Sequence, residues 1–407
     1  MKNLVRYLVA AAMVIALAVL YRGVGVKAAG GPLEAANGPY RVLAPIESGD
    51  LLLFPVVRAS GKTPGSTPFL TLDEGIKSGQ VEVTEAGRVR GLVRPRNAEP
   101  VDRIHQNPVF RDDRYRGDEV NTLVLVNNSN QPLLLLAGEI VTGGKQDRVI
   151  AKDRIVPAGG NPIDLSVFCI EPGRWTESSE TFGAAAKTST HSFMVQPTVR
   201  QRAMVAKDQQ QVWDSVHGAI SQMEVAAAPS AMGGGSMGMG YPRSMETTSY
   251  AGAMQDSAVS EKVDEAAAPV MKAREQVLAQ LRQEHAVGVV VAVHGEIVWA
   301  DLFADTDLLS RYWTKLVRSY AAESLTAGET HSAPTVADAQ RFLDAPSGGT
   351  ETSEGDVGVY RYRELHYGST ETFVLESLLP GTVYDVHISK LKLRAAEHHY
   401  RPPQVYR

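Results

Sequence analysis

Between Tyr40 and Val199 the apolar residues come in short runs separated by glycine, proline and polar clusters. Period-two or wholly apolar runs of this length predict strands rather than helices. Tyr40 to Ala44 and Leu51 to Val57 read as the first two. Thr71-Leu72-Asp73-Glu74 has the spacing of a capping box and predicts a short helix, which Gly79 would end. Val81 to Thr84 and Val89 to Val93 predict strands around a turn at Ala86-Gly87. Val120 to Val126 and Leu133 to Ala137 flank the polar string Asn127-Asn128-Ser129-Asn130 and predict a hairpin. So many short, punctuated strands point to an antiparallel sandwich or barrel.

After Pro197 the period changes. Val212, Val216 and Ile220, with Trp213 beside them, recur at helical spacing and predict one helix over Val199 to Met223. Ala226 to Gln255 is rich in Ala, Gly, Ser and Met, and buries too little apolar surface to offset its ordering entropy, so a disordered loop is expected there. A second helix over about Val259 to Gln283 follows, with Pro269 a kink or a late start. Val287 to Val293 and Ile297 to Leu302 predict a tight hairpin. Asp305 to Asp307 supply N-caps for a helix whose Leu309, Trp313, Leu316 and Tyr320 form one stripe. Val336 to Leu343 predicts a shorter helix, and Val357 to Glu364, Thr372 to Ser377 and Val383 to Ile388 predict closing strands. The expected organisation is a β-rich lobe over 35–198, a helix pair over 199–285 interrupted by the loop 226–255, and a mixed part over 286–400. The halves share a core, which makes the expected fold class α+β: a β-rich antiparallel sandwich or barrel-like N-terminal lobe packed with a helical and mixed α/β C-terminal part.

Residues 1–28 change the picture of where the chain works. Lys2 and Arg6 precede an uninterrupted apolar run, Leu8 to Leu20, and Val26-Lys27-Ala28 places small residues where cleavage occurs. That run spans roughly 20 Å as a helix against a hydrocarbon core of roughly 30 Å, so a signal peptide fits better than an anchor. The expected location is periplasmic or secreted, with membrane attachment only through an uncleaved N-terminus. Removing residues 1–28 strips four cations and no acid, moving the formal charge of −5 to about −9. An acidic chain lacks the positive field that nucleic acid requires. Cys169 is the only cysteine, so no internal disulfide forms. It falls on the face shared by Ile163, Leu165 and Val167, where a thiol is apolar filler.

The densest stretch is Leu133 to Trp175, with three strand-like runs, two glycine turns and the polar string Lys145-Gln146-Asp147-Arg148. Its pieces Gly138 to Arg148 (GEIVTGGKQDR), Val156 to Gly160 (VPAGG) and Phe168 to Trp175 (FCIEPGRW) resemble the ARG and rhodanese-phosphatase-superfamily-associated protein domain, a bacterial family. A later stretch, VGVVVAVHGEIVWADLF into LLSRYWTKLVRSYA, resembles it too. The resemblance covers most of residues 35 to 325 and implies no reaction. On the residues themselves, Gly143-Gly144-Lys145-Gln146 is not a phosphate loop, because Gln146 stands where Ser or Thr would hold magnesium and a strand follows. A glycine hairpin with solvent-facing charges is one reading. The other is a small anion site: Lys145 and Arg148 with glycine amides from Gly143 and Gly144, and Glu139, Gln146, Glu171 and Arg174 nearby. A structural salt-bridge network of the same residues stays open beside it. Pro172-Gly173 predicts a turn, with Trp175 packing beyond it.

Metal signals are sparse. The histidines are scattered, and no zinc spacing occurs. Methionines of the loop, above all Met232, Met237 and Met239, with Met245 and Met254, are thioethers suited to Cu(I). No G-x-S-x-G elbow and no dinucleotide fingerprint is present, and no cofactor is expected. The first reading of function is therefore an exported, non-catalytic binding or scaffolding module whose partner is an envelope protein or a small ligand. An anion or small-ligand site around Lys145 and Arg148, in a receptor or an enzyme, is the second, and copper handling the third.

Overall fold

The structure is a computed structural model that describes residues 38–59, 69–85, 122–174, 178–179, 181–184, 193–228, 247–272, 279, 281–326, 328, 331–347 and 349–393, all within one compact unit. The expected signal segment, the strand over Val89 to Val93, Trp175, and Met232, Met237, Met239 and Met245 lie outside the described residues.

In chain order, β1 (Tyr40–Val42), β2 (Ile46–Ser48) and β3 (Leu51–Arg58) come first, then β4 (Leu70–Thr71) and α1 (Leu72–Lys77). The Thr71 hydroxyl and the Glu74 carboxylate close the expected capping box on α1. Next come β5 (Val81–Glu85), β6 (Thr122–Asn127), β7 (Leu133–Leu135), β8 (Ile140–Thr142), β9 (Arg148–Ile150), β10 (Arg154–Val156), β11 (Ile163–Cys169) and β12 (Gly183–Ala184). The helical part is α2 (Pro197–Gln201), a π-turn over Arg202–Ala206, α3 (Gln209–Ala227), α4 (Tyr250–Gln255) and α5 (Ser257–Lys272). Then follow β13 (Ala286–Val293), β14 (Glu296–Phe303), α6 (Thr306–Ser324), α7 (Val336–Asp344), β15 (Thr350–Asp356), β16 (Tyr360–Tyr367), β17 (Thr370–Ser377) and β18 (Tyr384–Lys392).

The fold is α+β. A six-stranded antiparallel sheet runs β12-β8-β9-β11-β6-β5. A bridge between Thr84 and Thr181, with the Phe182 amide donating to the Val83 carbonyl at 2.9 Å, brings its two ends together into a nearly closed barrel. Val83, Leu125, Leu165, Val167 and Phe182 form its apolar cluster, which Leu133 and Leu135 of β7 complete. The larger sheet has nine strands in the order β1-β3-β13-β14-β18-β17-β16-β15, with β2 also on β3. Its first strands thus come from the N-terminal segment and the rest from beyond residue 286. One face carries the main core under α2, α3, α5 and α6, and the other carries a smaller cluster around Phe54, Val290 and Ala339 of α7.

Three local expectations are corrected. β6 and β7 do not form a hairpin: β6 pairs with β5 and β11, while β7 pairs with β10 and β4. The Asn127 side-chain amide donates to the carbonyls of Gln131, Val156 and Pro157, which sends the chain out of one sheet and into another. The helix expected over Val199 to Met223 is interrupted, because Lys207 takes a left-handed conformation (φ 52°) and Asp208 starts α3 afresh by accepting from the Gln211 amide. The loop expected over 226–255 is ordered at its C-terminal end. Ser249 caps α4, whose Tyr250 and Met254 are buried in the main core, so Met254 is not a loop thioether open to copper.

Candidate functional site

The Gly143–Asp147 loop joins β8 to β9 as the hairpin reading expects, but its charges turn inward. Gln146, Asp147 and Arg148 are all buried, which corrects the solvent-facing version of that reading. Arg148 donates to the Gln146 carbonyl at 2.6 Å and faces Glu85 at 3.9 Å. Glu85 in turn accepts from the Lys145 amide at 3.2 Å. Arg174 donates to the Gly144 carbonyl at 2.9 Å and pairs with Glu171 at 2.6 Å and Asp147 at 3.4 Å. Asp147 also accepts from the Gly143 amide at 3.0 Å and the Ser249 hydroxyl at 2.8 Å. Burial first, and then the neighbouring Glu171, raise the Asp147 carboxyl above its ordinary range. Gly144 has φ +50°, and a Cβ there would run into the Phe182 ring and Glu85, so the turn requires glycine.

The sequence-derived set therefore comes together around Gly143, Gly144, Lys145, Gln146, Arg148, Glu171 and Arg174, as a clamp whose arginines hold the loop's own carbonyls and carboxylates. Cys169 sits beside it, paired in register with Arg148. Burial pushes its thiol up to about 11, so it is not a thiolate nucleophile at neutral pH. Arg148→Ala should cost about 3 kcal/mol by leaving Glu85 without its buried counter-charge. Urea unfolding, with sulfate titrated into both proteins, checks this. Sulfate that stabilises the wild type and not the variant would mark the loop as an anion site instead.

Glu139 does not belong to this set. It precedes β8 on the far side of the strand, where Lys315 of α6 donates to it at 2.6 Å and the Leu136 amide at 2.8 Å. Asp73 shares the Lys315 ammonium at 2.8 Å. Burial pulls that ammonium down and the two carboxylates outweigh it, so Lys315 stays charged. Burial raises the Glu139 carboxyl above its ordinary range, Lys315 opposes this, and the neighbouring Asp73 adds to it.

Two residues before Glu139, the Ala137 amide donates to Asp153 at 2.7 Å, and this opens a second buried network that sequence reasoning missed. His387 lies between two carboxylates, with Nδ1 2.6 Å from Asp153 and Nε2 3.2 Å from Asp301. Asp301 also accepts from Arg200 at 2.8 Å, the Tyr320 hydroxyl at 2.5 Å and the Ser389 hydroxyl at 2.8 Å. Arg200 lies over the Trp299 ring at 4.6 Å and packs on Gly138, whose φ of +93° admits no side chain. Burial opposes ionisation of Asp301, but Arg200 and His387 hold its carboxyl well below the usual range. Burial likewise opposes charge on His387, and Asp153 and Asp301 overcome it and hold the imidazole at about 9. A signal for this network existed: Asp301 interrupts the apolar run Trp299 to Phe303, and His387 and Ser389 share one parity on β18.

An open feature lies away from these charged networks. A cleft of about 980 Å³ runs past the ends of β14 and β18 and the β16–β17 turn, between α2 on one side and α7 on the other. Trp299 lines it, while none of the Gly143–Arg174 residues does.

These features define an α+β protein in which a small barrel is latched by buried ion pairs to a nine-stranded sheet, with a cleft at the strand ends. The chain belongs to the family described as the ARG and Rhodanese-Phosphatase-superfamily-associated Protein domain, which matches residues 39–390. No curated protein and no solved structure matches it.

Proposed function

We propose that the chain is an exported, non-catalytic binding module whose ligand seat is the cleft between α2 and α7. The observation that carries this reading is the size and lining of that cleft, which combines apolar side chains with polar ones, as ligand sites do. The inward clamp around Arg148 and Arg174 supports it from the other side, since those guanidinium donors hold backbone carbonyls and carboxylates of the protein itself. The protonated Cys169 thiol offers no activated nucleophile there. Export rests on Lys2, Arg6 and the apolar run Leu8 to Leu20.

Native mass spectrometry on the chain, purified gently from an envelope fraction without chelator, tests this. The expected spectrum shows a chain cut near Ala28 that carries a small molecule or a protein partner at fixed stoichiometry. Accumulation of the uncut chain in the cytoplasm, or hydrolytic or redox turnover by the purified protein, would overturn the proposal.

A further inference from the structure

We propose that Lys315 and Asp73 become joined by an isopeptide bond that forms within the folded chain, with Glu139 as the group that moves the proton. The three side chains come from separate parts of the fold. Asp73 lies in the first turn of α1, which packs on the barrel through Leu72 and Ile76. Glu139 stands just before β8, and Lys315 reaches both carboxylates from α6. The Lys315 Nζ is 2.8 Å from an Asp73 oxygen and 2.6 Å from Glu139 Oε1. The second Glu139 oxygen accepts from the Leu136 amide, which fixes that carboxylate against the ammonium.

The surroundings differ from those of a solvated ion pair. The Lys315 side chain is 5% exposed and Glu139 is closed off entirely, while Asp73 is 31% exposed. Tyr312 seals one side, with its ring 5.8 Å from Nζ and its hydroxyl donating to the Leu134 carbonyl at 3.0 Å. Holding charges in such a site carries a desolvation cost that a neutral amide does not. An amine and a carboxyl held in contact and aligned react as if at about 10⁵ M or more.

Burial opposes charge on Lys315 and the two carboxylates outweigh it, so the ion pair is the resting state. In the reactive form one proton has moved along the 2.6 Å bond to Glu139, whose carboxyl burial has already raised. The neutral Nζ then attacks Cγ of Asp73. A C–N bond forms and a C–O bond breaks. The oxygen leaves as water with two hydrogens that were on the ammonium, both handed over by Glu139. One ammonium and one carboxylate become one amide and one water. The net charge of the cluster is unchanged, and no oxidant or activating group is consumed. The exposed edge of Asp73 gives the water a way out. The bond ties the barrel to the main core, in a chain whose single cysteine allows no internal disulfide.

The test is the intact mass of the full chain, incubated folded until the mass stops changing and then denatured, with its N-terminus read in a tryptic digest of the same sample. The expected chain is lighter than its residues by one water. Trypsin should fail to cut after Lys315, leaving residues 63–77 joined to residues 312–318. Lys315→Arg keeps the cation and should show the full mass. Asp73→Asn should lose ammonia in place of water and give the same linked peptide. Glu139→Gln should keep the full mass over the time in which the wild type is complete. A wild-type chain of full mass that trypsin cuts after Lys315 overturns the proposal, whether or not the variants fold. A link from Lys315 to Glu139, or a Glu139→Gln chain that forms the Asp73 link as completely as the wild type, overturns the roles given to the two carboxylates.

Discussion

Asp301→Ala is expected to destabilise the protein by about 3–5 kcal/mol, the loss typical of removing one partner from a buried ion pair. Asp301 is fully buried on β14 and accepts from Arg200, Tyr320 and Ser389, with His387 at 3.2 Å. The side chains around it come from α2, α6 and β18, and His387 passes the connection on to Asp153, in the link from β9 of the barrel to β10. Without the carboxylate, Arg200 becomes a buried cation that has lost its ion-pair partner, and the Tyr320 and Ser389 hydroxyls lose their acceptor. Urea unfolding at pH 7, followed by circular dichroism, measures the loss. The double variant Arg200→Met with Asp301→Leu separates charge from packing. Replacing a buried ion pair by apolar groups of similar volume is often neutral or stabilising, so the double variant should regain most of what the single one loses. A single variant that loses less than about 1 kcal/mol would mean that this network does not hold the barrel to the sheet.

Elements specified by neighbours in sequence were legible. The Thr71 capping box, the β13–β14 hairpin and the Asp305 cap of α6 all stand where the residue pattern places them, because each depends on contacts within a few residues. Strand pairing was not legible. β3 pairs with β13, and nothing local in Leu51 to Val57 shows that its neighbour lies beyond residue 286. β15 escaped notice for a different reason: Thr350 to Asp356 has no apolar alternation, being mostly exposed at the sheet edge, where Glu354 and Asp356 pair with Lys152 and Arg154. The site was legible as a cluster but not in its direction. Polar residues between glycines read as solvated, and only tertiary closure of Glu85, Ser249 and Glu171 around them makes burial of Asp147 and Arg148 tolerable. Glu139 was grouped with them by nearness in sequence, yet the strand between carries it to α6. The cleft could not be read at all, since Trp299, Lys392 and Phe342 are far apart along the chain and their types are ordinary in isolation.

Stability should also fall as pH rises through the neutral range, because His387 is held charged in the fold. The two carboxylates keep its imidazole at about 9, against an ordinary value of 6.5. A raised value means that the folded state binds the proton more tightly than the unfolded chain does. The resulting stabilisation is fully present below about pH 6.5 and is lost progressively up to about pH 9. For a group this deeply buried the full span corresponds to about 3 kcal/mol. Lys390 works in the opposite sense, since burial lowers its ammonium to about 8, and its contribution returns between about pH 8 and 10.5. The decline is therefore cleanest between pH 6.5 and 8. Urea midpoints measured across that window should fall steadily for the wild-type chain and flatten in His387→Gln. Equal slopes in the two proteins would show that the proton stabilising the fold is not on His387, and the pairing of Asp153 with Asp301 across one imidazolium would then lose its energetic role. A flat wild-type profile would remove that role as well. With the expected slope, the join between barrel and sheet is an ion cluster that depends on a single proton, which explains how two carboxylates and an arginine remain buried at one point of the core.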